Sequence, residues 1–210
     1  MATSPVDPHE RQSGISAGYY QSLHDTNPAF LNNNWLIEEL PTLLGFGGKS
    51  LLEVGCGNGR FLALAAQHWP DVVGLDWARS PHIDEVLALC SNVRFLQQDM
   101  TAAPLPDSFD IVCSADFLEH VPEAQLALVM QAMLKAGAVN FHKIACYDDG
   151  HSHLSIFPPD RWLHLWHSVP GGETMQVLRQ TFRKGQADKI VLLIANASPL
   201  DPAYRASSTK

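Results

Sequence analysis

Long apolar runs are missing from this chain. No stretch approaches the roughly 20 consecutive apolar residues that cross a bilayer, and the opening "MATSPVDPHERQSG" lacks the apolar core of a secretion signal. These absences predict a soluble, cytoplasmic protein. Basic charge is also scarce, with 14 Lys and Arg against 22 Asp and Glu and a net charge of -8. Phosphate backbones are gripped by clustered Lys and Arg, so nucleic acid is disfavoured as a partner. Only four cysteines occur, Cys56, Cys90, Cys113 and Cys146, far apart and mostly in apolar segments. They read as small buried side chains in a reducing compartment, not as disulfides or a metal knuckle.

What is present suits one domain of ordinary size. The 210 residues are 46% hydrophobic and 17% charged, enough for a full core. Polar, aperiodic tails are expected over 1–14 and 199–210, flanking a single domain over 15–198. Inside it, strand-like and helix-like segments alternate: "SLLEV" then "GRFLALAAQHW", "VVGLD" then "PHIDEVLALC", "VRFLQQ", "FDIVCSA" then "PEAQLALVMQAMLKAG". Pro81 and Pro122 fall where a first helical turn tolerates proline, and Gly137 falls where a helix should stop. The alternation predicts an α/β fold, a parallel sheet with helices on both faces.

The loop in "LLEVGCGNGR" carries glycines at 55, 57 and 59. A dinucleotide fingerprint G-x-G-x-x-G aligned on Gly55 and Gly57 places its third glycine on Arg60, and so fails. Three acids, Glu53, Asp76 and Asp99, follow one another at intervals of 23 residues at the ends of successive strands. One strand, one helix and two turns per interval put all three on the same sheet edge, where open parallel sheets bind ligands.

The ordered set "EVGCGNGR", "GLD", "QQD" and "FDIVCSADFLEHV" resembles the motif series of class I S-adenosylmethionine-dependent methyltransferases of the small-molecule type. The likeness runs from about residue 35 to about 195. It implies a Rossmann-like, doubly wound, seven-stranded and mostly parallel sheet whose last strand is antiparallel, with "ETMQVLRQTF", "RKGQAD" and "KIVLLIANA" supplying the closing hairpin. It implies S-adenosylmethionine as cofactor. Glu53, Gly55, Cys56, Gly57 and Gly59 would then face the methionine part, Asp76 the ribose hydroxyls, Trp77 the adenine, and Asp99 with Met100 the adenine's amino group and ring. Ala115, at the end of the fourth strand, joins them. Such a ligand has no pyrophosphate, and glycines allow the backbone to approach an amino-acid head while a helix start offers N–H groups to its carboxylate. A nicotinamide dinucleotide with Asp76 on its ribose is the disfavoured alternative.

The same resemblance makes residues 15–34 a lid over the cofactor. Tyr20 is then a candidate to face the sulfonium, since an aromatic ring attracts a cation, and Tyr19 stands beside it on the acceptor side. "WLIEELPTLL" reads as an amphipathic helix with Asn34 as its cap. "SADFLEHVP" lacks the Asn/Asp-Pro-Pro-aromatic motif of nucleic-acid amino-methylating enzymes, which points to a small-molecule acceptor. His24, Asn32, Asn33 and Phe117 are candidate acceptor contacts.

Candidate bases are His120 and, in "DDGHSHLSIFPPDRWLHLW", His151 and His153. On an extended segment residues i and i+2 point the same way, so both loop imidazoles would face one pocket, where one takes a proton from an acceptor hydroxyl. No third ligand has convincing spacing in that loop, so no metal is expected. Trp162, Trp166 and Phe157 are candidates to line the pocket, or else core. The expectation is methyl transfer to a small-molecule oxygen by in-line displacement. N-methylation, protein methylation and a non-catalytic cofactor-binding module remain open.

Overall fold

The computed structural model describes residues 15–105, 108–183 and 185–199. The tails expected over 1–14 and 199–210 lie outside the described residues, apart from Pro199. Seven strands, β1 (Ser50–Val54), β2 (Asp71–Asp76), β3 (Val93–Gln97), β4 (Phe109–Ala115), β5 (Gly137–Ala145), β6 (Gln176–Arg183) and β7 (Gln186–Ala195), form one sheet in the order β3-β2-β1-β4-β5-β7-β6. The first five pair in parallel, while β7 runs antiparallel to β5 on one side and to β6 on the other. This is the Rossmann-like, doubly wound sheet expected, with the antiparallel strand inserted before the edge.

The helices are α1 (Ala17–Thr26), α2 (Pro28–Asn32), α3 (Leu40–Phe46), α4 (Arg60–Ala65), α5 (His82–Leu89), α6 (Glu123–Ala136) and α7 (Pro159–His167). Central strands bury both faces, so they read as continuous apolar runs rather than alternating ones. Side chains still alternate sides: Leu52, Val73 and Val112 pack with α6 and α7, whereas their neighbours Leu51, Val72 and Ile111 pack with α3, α4 and α5. Gly137 follows α6 without a loop and opens β5, where a Cβ would lie 2.6 Å from Val112 Cγ2. Among the described residues no helix is long and apolar enough to cross a membrane.

The structure differs from expectation at α7 and at the segment before β1. Trp162, a candidate acceptor contact, is fully buried in the α6–α7 core against Phe157, with ring centroids 5.3 Å apart. Trp166 is equally buried and stacks on His142 at 4.8 Å. The aromatic stripe of α7 is therefore core, because that face is what docks the helix on the sheet. The helix expected over "WLIEELPTLL" is split into a 3-10 turn, Ile37–Glu39, and α3. Pro41 lacks an N–H and sits in the first turn of α3, where no intrahelical donor is required. Asn34 does not cap the earlier turn, whose N-cap is Leu36 without a side-chain bond; its Oδ1 instead accepts the Leu36 N–H at 2.9 Å, ahead of the turn.

Candidate active site

A cavity of about 510 Å³ opens at the carboxyl ends of the parallel strands. Its walls come from the loops after β1, β2, β3, β4 and β5, and from α1, α2 and the segment that joins them to the sheet.

One half is built by β1, β2 and β3. Gly55 and Gly57 both have left-handed backbones, with φ of 72° and 53°. A Cβ on Gly55 would meet Phe117 Cδ2 at 2.7 Å, so this glycine allows the loops after β1 and β4 to touch. A Cβ on Gly57 would meet only His24, at 3.8 Å, leaving its backbone presented to the cavity. Asp76 accepts the Gly57 N–H at 2.8 Å on one oxygen and the Ala78 N–H at 3.0 Å on the other. Burial raises its pKa, and those N–H bonds hold it back. Each oxygen keeps a further lone pair for vicinal hydroxyls. Trp77, Asp99, Met100 and Ala115 also line this cavity, and the Asp99 carboxylate is oriented by the Thr101 N–H and hydroxyl, both at 2.7 Å.

Two members of the expected cofactor set, Gly59 and Glu53, stand behind the wall, and a third, Cys56, turns its thiol away from it. Gly59 does not line the cavity; it starts α4, and a Cβ there would meet Ile83 Cδ1 at 2.8 Å. Cys56 borders the cavity, but its thiol turns into the core toward Gly74. Glu53 is 2% exposed and accepts from Asn34 Nδ2 at 3.2 Å, while its Oε2 is buried without a partner. Burial drives the Glu53 carboxyl well above its ordinary pKa, against the pull of the Asn34 bond.

The α1 segment closes this half. Tyr20 stands between Trp77, at 6.3 Å, and the edge-on ring of His120, at 6.0 Å, with its hydroxyl buried and unpartnered. Tyr19 packs edge to face on it at 5.3 Å. His24 was expected near the acceptor, but it is buried beside Gly57, its ring on Phe30 at 5.5 Å, and burial lowers its pKa against the field of Asp76. Asn33 lines the cavity; Asn32 is exposed and bonds back to the Pro28 carbonyl at 2.8 Å.

The other half is built by β4 and β5. Asp116 immediately follows β4 with φ of 54°, the single non-glycine residue at positive φ among those described. His120 ends a 3-10 turn, Leu118–His120, and His153 comes from the loop after β5. Both Nε2 atoms lie 3.8 Å from the same Asp116 oxygen, and the two rings are 4.8 Å apart, edge to face. Each Nδ1 meets a backbone carbonyl: Ser152 O at 3.1 Å for His120, Tyr147 O at 2.6 Å for His153. Burial opposes protonation of both, but the nearby carboxylates win, raising His120 and holding His153 up to about 9. Burial and then Asp116 push the Glu119 carboxyl up to about 7.

The loop histidines do not share one orientation. Asp149 gathers the N–H groups of His151, Ser152 and His153 at 3.0, 2.9 and 3.0 Å, so the segment is a turn and not an extended strand. His153 is turned inward with its side chain 3% exposed; His151 is 59% exposed at the rim. Phe117 lines the cavity as expected. Sequence reasoning missed Asp116, Tyr147, Asp149 and Arg183, all on the wall. Only Asp116 left a signal, four residues before His120.

Sheet topology, glycine loop and strand-end acids are similar to those of class I S-adenosylmethionine-dependent methyltransferases. Comparison with known proteins points the same way: residues 51–137 match the family described as a methyltransferase domain. The chain is 36% identical over 109 residues to a ubiquinone biosynthesis O-methyltransferase of Pseudomonas fluorescens, covering 50% of this chain and 44% of that one. It is 33% identical over 128 residues to the Pseudomonas paraeruginosa protein of the same name, covering 58% and 53%. The chain thus spans about half the length of the curated relatives it matches. In fold it is similar to the Burkholderia thailandensis 1,6-didemethyltoxoflavin-N1-methyltransferase bound to its ligand and S-adenosylhomocysteine, with TM-score 0.69, 14% identity and coverage of 96% and 94%. The N-methyltransferase NodS of Bradyrhizobium japonicum, in complex with S-adenosylhomocysteine, is likewise similar, with TM-score 0.61, 19% identity and coverage of 84% and 96%.

The residues present fit that cofactor. The buried hydroxyl of Tyr20, on the cavity wall, lacks a partner, and the Gly57 backbone leaves room beside His24.

Proposed function

We propose that this domain transfers a methyl group to a hydroxyl oxygen of a small molecule held at Asp116, His120 and His153. The observation that carries the reading is that this cluster and the Asp76–Gly57 pair line one cavity. S-adenosylmethionine, when bound, supplies an electrophilic methyl carbon. Asp76, Trp77, Asp99 and Met100 hold its nucleoside, and the Gly55–Gly57 backbone its amino-acid end. Tyr20, between Trp77 and His120, sits where the two halves meet and offers its ring to positive charge. Residues 15–34 act as the lid that excludes water, consistent with their place on the wall.

A hydroxyl entering the β4–β5 half meets two imidazoles and a carboxylate within reach of one another. That group orients the oxygen and eases the loss of its proton as the new C–O bond forms. His151, at the rim, is left to contact the acceptor's outer end. The relatives named O-methyltransferases support an oxygen acceptor.

The test is calorimetric titration with S-adenosylhomocysteine, followed by a screen of hydroxylated small molecules for its release from S-adenosylmethionine. Asp76→Ala removes two charge-assisted bonds to ribose, each about 1.5–3 kcal/mol, so affinity should fall by at least about 100-fold. Undiminished binding by that variant refutes the cofactor assignment. Turnover only with amine acceptors refutes the oxygen assignment.

A further inference from the structure

We propose that Asp116, His120 and His153 form a site for a divalent transition-metal ion, such as zinc or manganese, whose remaining coordination positions face an acceptor oxygen. The inference rests on reading the β4–β5 half as the acceptor pocket. The three ligand atoms lie within 4.8 Å of one another.

The donor set comes first. Two imidazoles and one carboxylate with further positions open to a cavity suit a catalytic divalent metal, whereas calcium and magnesium prefer oxygen alone. Presentation is the second observation. Both Nδ1 atoms are tied to backbone carbonyls, of Ser152 and of Tyr147, which fixes the N–H there and aims each Nε2 at the cavity. Metal-binding histidines are oriented in this way by partners on the other ring nitrogen.

Distance is the third. At 3.8 Å each Nε2 is too far from Asp116 Oδ1 for a hydrogen bond. Ligands of one ion with bonds near 2.1 Å stand roughly 3–3.5 Å apart, so a small contraction closes the site. The frame around it is rigid. Asp116 holds a left-handed backbone that a β4 ending would not otherwise select, and its N–H donates to the Lys143 carbonyl at 3.1 Å. Buried Glu119 accepts the Ala145 N–H at 2.6 Å through its carboxyl, and its carbonyl accepts the Leu154 and Ser155 N–H groups at 2.8 and 2.9 Å. Glu119 thereby locks the turn bearing His120 to the loop bearing His153.

In methyl transfer such an ion makes an acceptor hydroxyl more acidic and fixes its direction of approach. The O–H bond gives its proton to solvent, the oxygen forms the C–O bond, and the S–C bond breaks with its electrons passing to sulfur.

The experiment uses the whole chain, stripped with a chelator and dialysed, then titrated with zinc, manganese and cobalt ions separately by calorimetry. The visible spectrum of the cobalt form is recorded in parallel. One equivalent should bind, and Asp116→Asn, His120→Gln and His153→Gln should each weaken it by at least about 10-fold to 100-fold, while exposed His68→Gln leaves it unchanged. Titration of every variant with S-adenosylhomocysteine reports folding independently. Stripped protein that binds S-adenosylhomocysteine yet takes up no metal overturns the inference, as does metal binding indifferent to all three substitutions. Undiminished methyl transfer by stripped protein in chelator also overturns it, and leaves the proposed function standing. Failure of S-adenosylhomocysteine binding with metal uptake intact instead refutes the function and retains the site.

Discussion

Replacing Gly55 and Gly57 separately by alanine separates two roles of one loop. Both positions have left-handed φ, 72° and 53°, so each alanine costs about 1–2 kcal/mol in backbone strain. Only at Gly55 does the new methyl also collide, 2.7 Å from Phe117 Cδ2 and 3.1 Å from its Cβ and Cγ. Phe117 cannot swing away freely because its Cβ is among the atoms met, and overpacking of this kind costs about 1–3 kcal/mol more. Gly55→Ala should therefore destabilise by about 2–5 kcal/mol and Gly57→Ala by about 1–2. Urea denaturation followed by circular dichroism measures both. Affinity for S-adenosylhomocysteine should rank the other way, as the Gly57→Ala methyl enters the cavity beside His24 while the Gly55→Ala methyl points at Phe117. Equal destabilisation, or a larger loss of affinity at Gly55 than at Gly57 in folded protein, would refute the division.

Trp162→Ala should cost about 3–5 kcal/mol, as truncation of a buried aromatic does, without changing turnover in the folded fraction. A loss of acceptor affinity beyond the loss of stability would return Trp162 to the pocket. His142 is fully buried, stacked on Trp166, and burial pushes its pKa down to about 3. Its folded pKa lies below the unfolded value of about 6.5, so the unfolded chain takes up the proton first and stability falls as pH drops through that window. At pH 4.5 the loss is about 3 kcal/mol, two pKa units below 6.5. His142→Phe, which keeps the stacking and cannot be protonated, should flatten this limb of the stability curve; parallel curves would exclude His142 as the cause.

Much of the cofactor half was legible because it obeys the sheet. Asp76 and Asp99 recur at a fixed interval, and the carboxyl edge of a parallel sheet collects whatever ends its strands. The acceptor half was harder to read, since Asp116 and His153 come from different strand ends 37 residues apart in sequence, and no local period connects them. The spacing of His151 and His153 misled because it assumed an extended backbone, and the Asp149 side chain instead folds the segment into a turn. Trp162 and Trp166 misled for another reason. Helical periodicity identifies a buried face but not whether sheet or ligand covers it, and α6 already fills that space. Gly59 resembled its two neighbours in sequence, yet its left-handed backbone serves the start of α4.

The join between the halves follows from strand order. The chain builds β1, β2 and β3 outward in one direction and then returns to lay β4 on the other side of β1, pairing Val54 with both Leu75 and Ser114. The loops leaving β1 and β4 therefore diverge from adjacent strands, and a crevice opens between them, as at any such switch in an open parallel sheet. Here Gly55 and Phe117 touch across its floor, so the two loops cannot drift apart without losing that contact. Phe117 is the residue after Asp116, and Gly55 stands two before Gly57. A single packed contact thus fixes the distance between the backbone that would hold a sulfonium ligand and the carboxylate around which the two imidazoles gather. Any change that loosens it should weaken methyl transfer more than it weakens binding at either half alone, because only the reaction depends on their separation.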